Sequence, residues 1–312
     1  MKNKKTWLFY AIITTIFWGL WGALIEIPEN HGFPPTLGYS IWALTMIPPA
    51  VVALWNINWE LEYDIWSIIW GSLIGLTGAG GQLILFEAVR NGPAYLIFPL
   101  VSLSPVITII LALILLKEKT GRLGWIGIVL ALIAIFFLSY QKPGSNAHVH
   151  GYLWLIFSLC VFFAWGVQAY FMRFANQSMK AESIFFYMMV TALILIPFAI
   201  WMTDFSQPIN WGFSGPYAEV LIQILNSIGA LCLVYAFRYG KAIVVSPLAN
   251  AVAPVITVII SLIIYSQIPN TITIIGIILA ISATLLLGYE EEVPDEDRLD
   301  EDEEAAAAQK QS

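Results

Sequence analysis

Read from its start, the chain alternates long unbroken apolar runs with short polar stretches that hold nearly all of its charge. Ten runs can be drawn: Trp7 to Ile27, Thr36 to Trp55, Trp66 to Ala88, Tyr95 to Leu116, Leu123 to Tyr140, Tyr152 to Phe174, Ile184 to Met202, Ala218 to Phe237, Ile243 to Tyr265 and Thr271 to Tyr289. Each has a length near the ~20 residues that cross bilayer hydrocarbon as a helix. Strands of a membrane barrel would alternate with period two, and these runs do not. Only a helix satisfies its own backbone while facing lipid, so the pattern predicts an all-α polytopic membrane protein with ten transmembrane helices.

Composition agrees: 59% of residues are hydrophobic, 11% are charged and the mean hydropathy is +0.78, too apolar for a soluble domain that must cover its surface with polar groups. The polar stretches then orient the chain. With the N-terminus in the cytoplasm, Lys2, Lys4, Lys5, Lys117, Lys119, Arg122, Arg173, Lys180, Arg238 and Lys241 share that side, against Arg90 and Lys142 on the other, as the positive-inside bias requires. The expectation is a multi-pass protein of the plasma (bacterial inner) membrane with both termini cytoplasmic. Three lysines before the first run would suit a signal peptide, but no small-residue cleavage site ends it, so it reads as a retained helix. Cys160 and Cys232 fall inside helices and read as small hydrophobes rather than a disulfide. The formal charge of −7 names no partner, because 11 of the 21 acidic residues crowd into Glu290 to Glu304. That run reads as a solvated, disordered tail.

The apolar pattern is also written twice. Ala88, Arg90, Gly92, Pro99, Pro105-Val-Ile-Thr108, Gly127 and Tyr140 return as Ala236, Arg238, Gly240, Pro247, Pro254-Val-Ile-Thr257, Gly276 and Tyr289, at an offset of 148 and then 149. Trp18-Gly19 returns as Trp165-Gly166, Ile47-Pro48 as Ile196-Pro197 and Gly81 as Gly229. The division that follows is a first five-helix repeat over 1–141, a loop over 142–151, a second repeat over 152–289 and an acidic tail over 290–312. An odd number of spans per copy turns the second copy over. Inverted repeats of this kind provide alternating access in many secondary carriers; a merely larger bundle is the plain alternative. Pro48, Pro99, Pro105, Pro197, Pro247 and Pro254 sit inside runs at matching places, and interior proline removes a backbone hydrogen bond, so shared kinks are expected. Gly71, Gly75, Gly78, Gly80 and Gly81 include a GxxxG, which lets helix backbones approach closely.

Two halves of five helices, each with a proline-bearing helix, a short loop and a glycine-containing helix, resemble the drug/metabolite transporter superfamily in its EamA-like branch. The residues that carry the resemblance are Pro105 through Leu116, Lys117-Glu118-Lys119 and Trp125-Ile-Gly127 through Leu138, with Pro254 through Tyr265 and Ile275-Gly276 through Leu287 in the second half. Trp18-Gly19 and Trp165-Gly166 add the pattern usual in the opening helix of each half. The resemblance implies a carrier with its substrate path between the halves. Members carry amino acids, sugars, nucleotide derivatives and drugs, so it does not select a solute. The acidic position after the fourth helix holds Glu118, whereas its counterpart is Gln267, which argues against a symmetric salt bridge there.

Inverted-repeat carriers bind near the midplane. Counting inward from the run ends places Trp18, Trp165, Ser104, Asn226 and Asn250 near that depth, with Trp21, Gln82, Ser102, Gln168 and Tyr170 within a turn or two. Polar groups there cost free energy unless partnered or wetted, so they suggest a polar cavity, with hydrogen bonding between helices as the alternative. No lysine, arginine or aspartate lies mid-span, which points to a neutral or zwitterionic cargo rather than an anion. Glu26 and Glu87 are candidate proton-coupling groups, with Arg90 on the helical face of Glu87 as the competing ion pair.

Other classes fit less. An intramembrane enzyme needs a nucleophile and base or metal ligands at depth, yet His31, His148 and His150 all fall in loops. No metal site or cofactor is expected. A channel would want rings of polar lining, and a non-transporting receptor or scaffold has no use for inversion. The expected partners are the lipid bilayer, a small-molecule substrate, protons or another coupling ion and, left open by the sequence, a second copy in a homodimer. The only basic cluster is the short N-terminal anchor, so no nucleic-acid partner is expected.

Overall fold

A computed structural model describes residues 5–92, 94–138, 140, 152–265 and 270–289. The connection carrying His148 and His150, Gln267 and the acidic tail lie outside the described residues. The described chain is helical throughout: α1 Thr6–Leu24, α2 Glu26–Asn30, α3 Pro35–Thr45, α4 Ile47–Asn56, α5 Ile65–Gly75, a π-helical turn Leu76–Gly80, α6 Gly81–Asn91, α7 Ala94–Ser102 and α8 Pro105–Leu115. It continues with α9 Arg122–Leu138, α10 Leu153–Ala175, α11 Ala181–Ile194, α12 Ile196–Trp201, a second π turn Phe213–Tyr217, α13 Ala218–Tyr239, α14 Ala242–Tyr265 and α15 Thr271–Tyr289.

Seven helical stretches are long and apolar enough to cross a membrane: Thr6–Asn30, Pro35–Asn56, Ile65–Asn91, Leu153–Ala175, Ala181–Trp201, Phe213–Tyr239 and Ala242–Ile260. The three remaining runs form shorter apolar helices, Leu100–Leu115, Arg122–Leu138 and Thr271–Leu287. Outward faces carry large apolar side chains such as Trp201, Ile263 and Ile114, as a lipid-facing surface requires. Cys160 is a free thiol on an exposed face, and Cys232 is free and half-buried.

The prolines act unequally. Pro48, Pro105 and Pro197 occupy the first turn of α4, α8 and α12, where a missing N–H is tolerated, so each starts a new helical segment after a break. Pro247 and Pro254 instead lie within continuous α14, and Pro99 lies within α7. The two proline-bearing spans therefore differ: the first is broken at Leu103-Ser104, the second runs through.

Packing between the halves is reciprocal. A Cβ at Gly229 would meet the Trp18 ring at 2.5 Å, and one at Gly81 would meet the Trp165 indole nitrogen at 2.6 Å. Gly240 abuts Trp7 and Gly92 abuts Trp154 in the same way. Each half thus lays two tryptophans of its opening helix into two glycine gaps of the other half's third span. As the α1 positions rise from Trp7 to Trp18 their α13 partners fall from Gly240 to Gly229, so these helices are antiparallel; α10 and α6 are antiparallel by the same reading. The proline-helix pattern is exchanged too. Thr108 Oγ donates to the Gly166 carbonyl at 3.0 Å, and Thr257 Oγ donates to that of Gly19 at 3.0 Å. At the side of the bundle α9 and α15 interlock, Gly127 against Leu287 and Gly276 against Leu138.

One end of the bundle gathers basic groups. There Arg173 Nε donates to Glu118 at 2.8 Å, and the backbone N–H of Ile243 donates to the other Glu118 oxygen at 3.0 Å. Arg173 also reaches the Phe237 carbonyl, Arg238 reaches that of Met179, and Lys241 reaches that of Lys119. Tyr10 stacks on Tyr235 and Tyr239 beside them. At the opposite end Asn210 binds the Gly32 and His31 carbonyls, and the Thr36 and Thr203 hydroxyls share a hydrogen bond of 2.7 Å.

Candidate functional site

Where α1, α3, the third span, α10, α13 and α14 converge, the helices leave a cavity of about 290 Å³. Its wall takes Trp18 and Trp21 from α1, Gln82 from α6, Ser104 from the α7–α8 break, Trp165 and Gln168 from α10, Asn226 from α13 and Asn250 from α14. These eight are residues singled out from depth alone. Ser102 and Tyr170 are not in the wall: Tyr170 stacks on Phe174, and Ser102 is half-buried near the break. No residue of the wall is an acid, a base or a histidine.

The repeat governs how the tryptophans are held. Trp18 Nε1 donates to the Asn226 carbonyl at 3.3 Å, and Trp165 Nε1 donates to the Gly78 carbonyl at 3.2 Å. Gly78 and Asn226 are themselves repeat counterparts, 148 residues apart. Both indoles are therefore fixed by main-chain acceptors, which leaves their ring faces to the cavity. The acceptor at Gly78 lies in the π turn Leu76–Gly80; such turns recur at functional sites because they displace backbone groups from the regular ladder.

Exchange of side chains at these positions breaks the symmetry. Trp21 in the first half corresponds to Gln168 in the second, and Gly78 corresponds to Asn226. A Cβ at Gly78 would fall 2.0 Å from Gln168 Nε2, so the glycine makes room for the glutamine. The side-chain amides of Gln82 and Gln168 have no hydrogen-bond partner among the described residues, whereas Asn250 Nδ2 donates to the Ser246 carbonyl at 2.9 Å. The cavity thus offers two unengaged amides between aromatic faces, a combination that orients an apolar solute by a few polar contacts.

Sequence depth missed several wall residues: Trp42 and Met46 from the second span, Met172, Met188, Phe237 and Ser246. Trp42 carries the sharpest signal, since its indole nitrogen is buried without a partner, a costly state. Its run contains one other tryptophan, and nothing in the sequence tells the wall indole from the lipid-facing Trp55.

The two carboxylates offered for proton coupling lie elsewhere. Glu26 is exposed at the start of α2, and Glu87 is paired with Arg90 at 2.8 Å on an open surface. Neither reaches the cavity wall. Among the described residues no group of three metal-ligating side chains occurs.

The sequence profile of the EamA-like transporter family matches residues 5–140 and again 152–289. A probable magnesium transporter of Candida albicans is 37% identical over 83 residues, 27% of this chain and 21% of that protein. An uncharacterized protein of Methanocaldococcus jannaschii is 42% identical over 62 residues, 20% of this chain and 45% of that one. An uncharacterized transporter from the cobO 3′ region of a Sinorhizobium species is 26% identical over 129 residues, 40% of this chain and 90% of the relative. The chain spans less than half the length of the first two relatives. A solved structure described only as the crystal structure of a protein superposes with a TM-score of 0.74 at 16% identity, covering 91% of this chain and 98% of that one. At that identity the likeness shows the fold alone.

Proposed function

The chain belongs to the EamA-like transporter family, and on that premise we propose that it carries a small neutral or zwitterionic organic solute across the membrane by alternating access. The observation that carries this reading is the uncharged cavity of about 290 Å³ built from both halves. Its size suits a small molecule. Its indole rings suit sugars, amino acids or planar drugs, and the Gln82 and Gln168 amides supply polar contacts. A cargo with net charge would sit without a counter-ion at membrane depth.

In this reading all ten apolar runs cross the bilayer as two inverted five-helix halves, and the basic end faces the cytoplasm of a plasma membrane. The antiparallel pairing of α1 with α13 and of α10 with α6 supports the inversion. The magnesium of the Candida relative's name is a weaker cargo: magnesium is held through carboxylates and retained waters, and the wall has no carboxylate.

The test is a thermal-shift screen of the detergent-purified protein against sugars, amino acids, nucleosides, cationic drugs and magnesium, repeated with Gln168→Ala and Trp42→Phe. One organic class stabilises the wild type, and both variants lose most of that shift. Stabilisation by magnesium alone, or organic shifts unchanged in both variants, overturns the reading. For the class that binds, counterflow in proteoliposomes separates a carrier from a channel.

A further inference from the structure

One charged side chain inside the helical bundle serves none of the contacts above. Glu219, in the first turn of α13, is 2% exposed, and no cation forms an ion pair with it among the described residues. Its carboxyl occupies the space opposite Gly38 of α3, where a Cβ would fall 2.5 Å from Glu219 Oε1. One turn on, Gln223 Nε2 donates to Glu219 Oε1 at 2.7 Å. The carbonyl of the same amide accepts the Trp21 indole N–H at 3.0 Å, and Trp21 is part of the cavity wall.

We propose that Glu219 is a proton-binding site whose charge state is relayed through Gln223 to Trp21 and hence to the cavity. A carboxyl group shut away from water and cations is held more cheaply in its neutral form. The relay follows from donor and acceptor inventory. An ionised carboxylate only accepts, so it holds the Gln223 NH₂ toward itself and the Gln223 carbonyl toward Trp21. A protonated carboxyl can donate as well, which competes with the indole for the Gln223 carbonyl and loosens the ring. Binding one proton thereby changes how firmly one wall of the cavity is held, with no bond made or broken beyond the carboxyl O–H.

The surroundings are otherwise poor in charge. From α2, which packs against α13, come Glu29 and, one turn behind it, Glu26. From α1 comes Trp21 by way of Gln223; from α3 come Gly38 and Tyr39, whose hydroxyl donates to the Ala192 carbonyl. The π turn before α13 brings only the exposed Tyr217. The ionisable groups of α1, α10 and α11 that reach α13 elsewhere, namely Tyr10, Arg173 and Glu182, meet it at Tyr235 and Phe237, at its basic end. Proton coupling of transport follows if the proposed carrier function holds, and the site can be read without any cargo.

The experiment is an infrared pH titration of the purified protein with intrinsic tryptophan fluorescence followed in parallel. The wild type shows the carbonyl stretch of a protonated carboxyl that titrates, and a fluorescence change with the same midpoint. Glu219→Gln abolishes both, while Glu26→Gln and Glu29→Gln keep both. Gln223→Leu and Trp21→Phe keep the infrared band and lose the fluorescence change. If the band survives in Glu219→Gln, or vanishes instead in Glu29→Gln, Glu219 is not the site. If the fluorescence change persists in Gln223→Leu, the relay is wrong. Should Glu219→Gln fail to purify as a monodisperse species, the Gln223→Leu and Glu29→Gln arms decide alone. None of these arms depends on transport, so the carrier reading fails or stands separately.

Discussion

Glu118 and Glu219 are buried to the same degree, 2% exposed each, and are held in opposite ways. Glu118 spans the halves at the basic end with both oxygens engaged, one by Arg173 and one by the Ile243 N–H. Glu219, at the other end, has an amide where Glu118 has a guanidinium. A carboxylate locked to a cation and a main-chain donor is a fixed joint, whereas one facing only an amide can change charge without leaving an orphan. The repeat sharpens the contrast. Gly71 precedes Glu219 by 148 residues and Gly38 precedes Tyr187 by 149, the offsets of the duplication. Gly71 packs on Tyr187 as Gly38 packs on Glu219, so one crossing has been filled by a phenol from α11 and its counterpart by a carboxyl from α13.

The largest effect expected is from Glu118→Gln, which strands Arg173, itself mostly buried. Breaking a buried pair by removing one partner costs about 3–5 kcal/mol, readable as a marked fall in Tm in detergent. Glu219→Gln strands no charge and keeps a partner for Gln223, so its stability change stays within about 1 kcal/mol; equal losses in the two variants would erase the distinction. Next come the paired glycines. At Gly71 an added methyl meets the Tyr187 Cβ at 2.5 Å, a stem that cannot swing aside, so Gly71→Ala loses about 1–3 kcal/mol by overpacking. At Gly38 the methyl meets the flexible end of Glu219, so Gly38→Ala loses less stability but displaces the carboxyl, and the infrared band shifts.

Smaller still, Trp18→Phe and Trp165→Phe each remove one indole-to-carbonyl bond and cost about 1 kcal/mol, with similar Tm shifts because the contacts are repeat counterparts. The smallest effect is at the exposed Lys180–Glu60 pair, 2.9 Å apart. The hydrogen bond and charge of Lys180 hold the Glu60 carboxyl below its usual range. A depressed carboxyl contributes stability that is present above its unfolded value and is lost as pH falls through the folded one. Lys180→Ala should therefore lower Tm slightly at neutral pH and leave it unchanged in acid, where Glu60 is protonated in both proteins, so that the slight acid-side loss of Tm is flattened.

Much of the architecture could be read before any coordinates. Continuous apolar runs fix helices, and the doubled Pro-Val-Ile-Thr and Trp-Gly signatures mark the contacts that the halves exchange. Depth along a run placed eight wall residues, because position along a helix axis follows from counting. Azimuth does not, since runs apolar on every side give no face. That is why Tyr170, at the right depth, stacks on Phe174 instead, and why Trp42 was missed. Glu219 was hidden for a different reason. It begins a run, where an acid reads as interfacial, and only the tertiary placement of Gly38 opposite it makes the position dry. The unequal prolines, breaking one span at Ser104 and leaving α14 continuous, likewise depend on neighbours rather than on the residues themselves.

The exchanged tryptophans and glycines also define a symmetry. Each half carries both knob and socket: Trp7 and Trp18 with Gly81 and Gly92 in the first, Trp154 and Trp165 with Gly229 and Gly240 in the second. A surface that bears both parts of one joint is self-complementary, which is the condition for an isologous contact between two copies of the same chain. Each half therefore carries what a two-fold clasp with an inverted copy of itself requires. Beyond that clasp the halves need not match, and a glycine at 71 stands where its counterpart is the acid at 219.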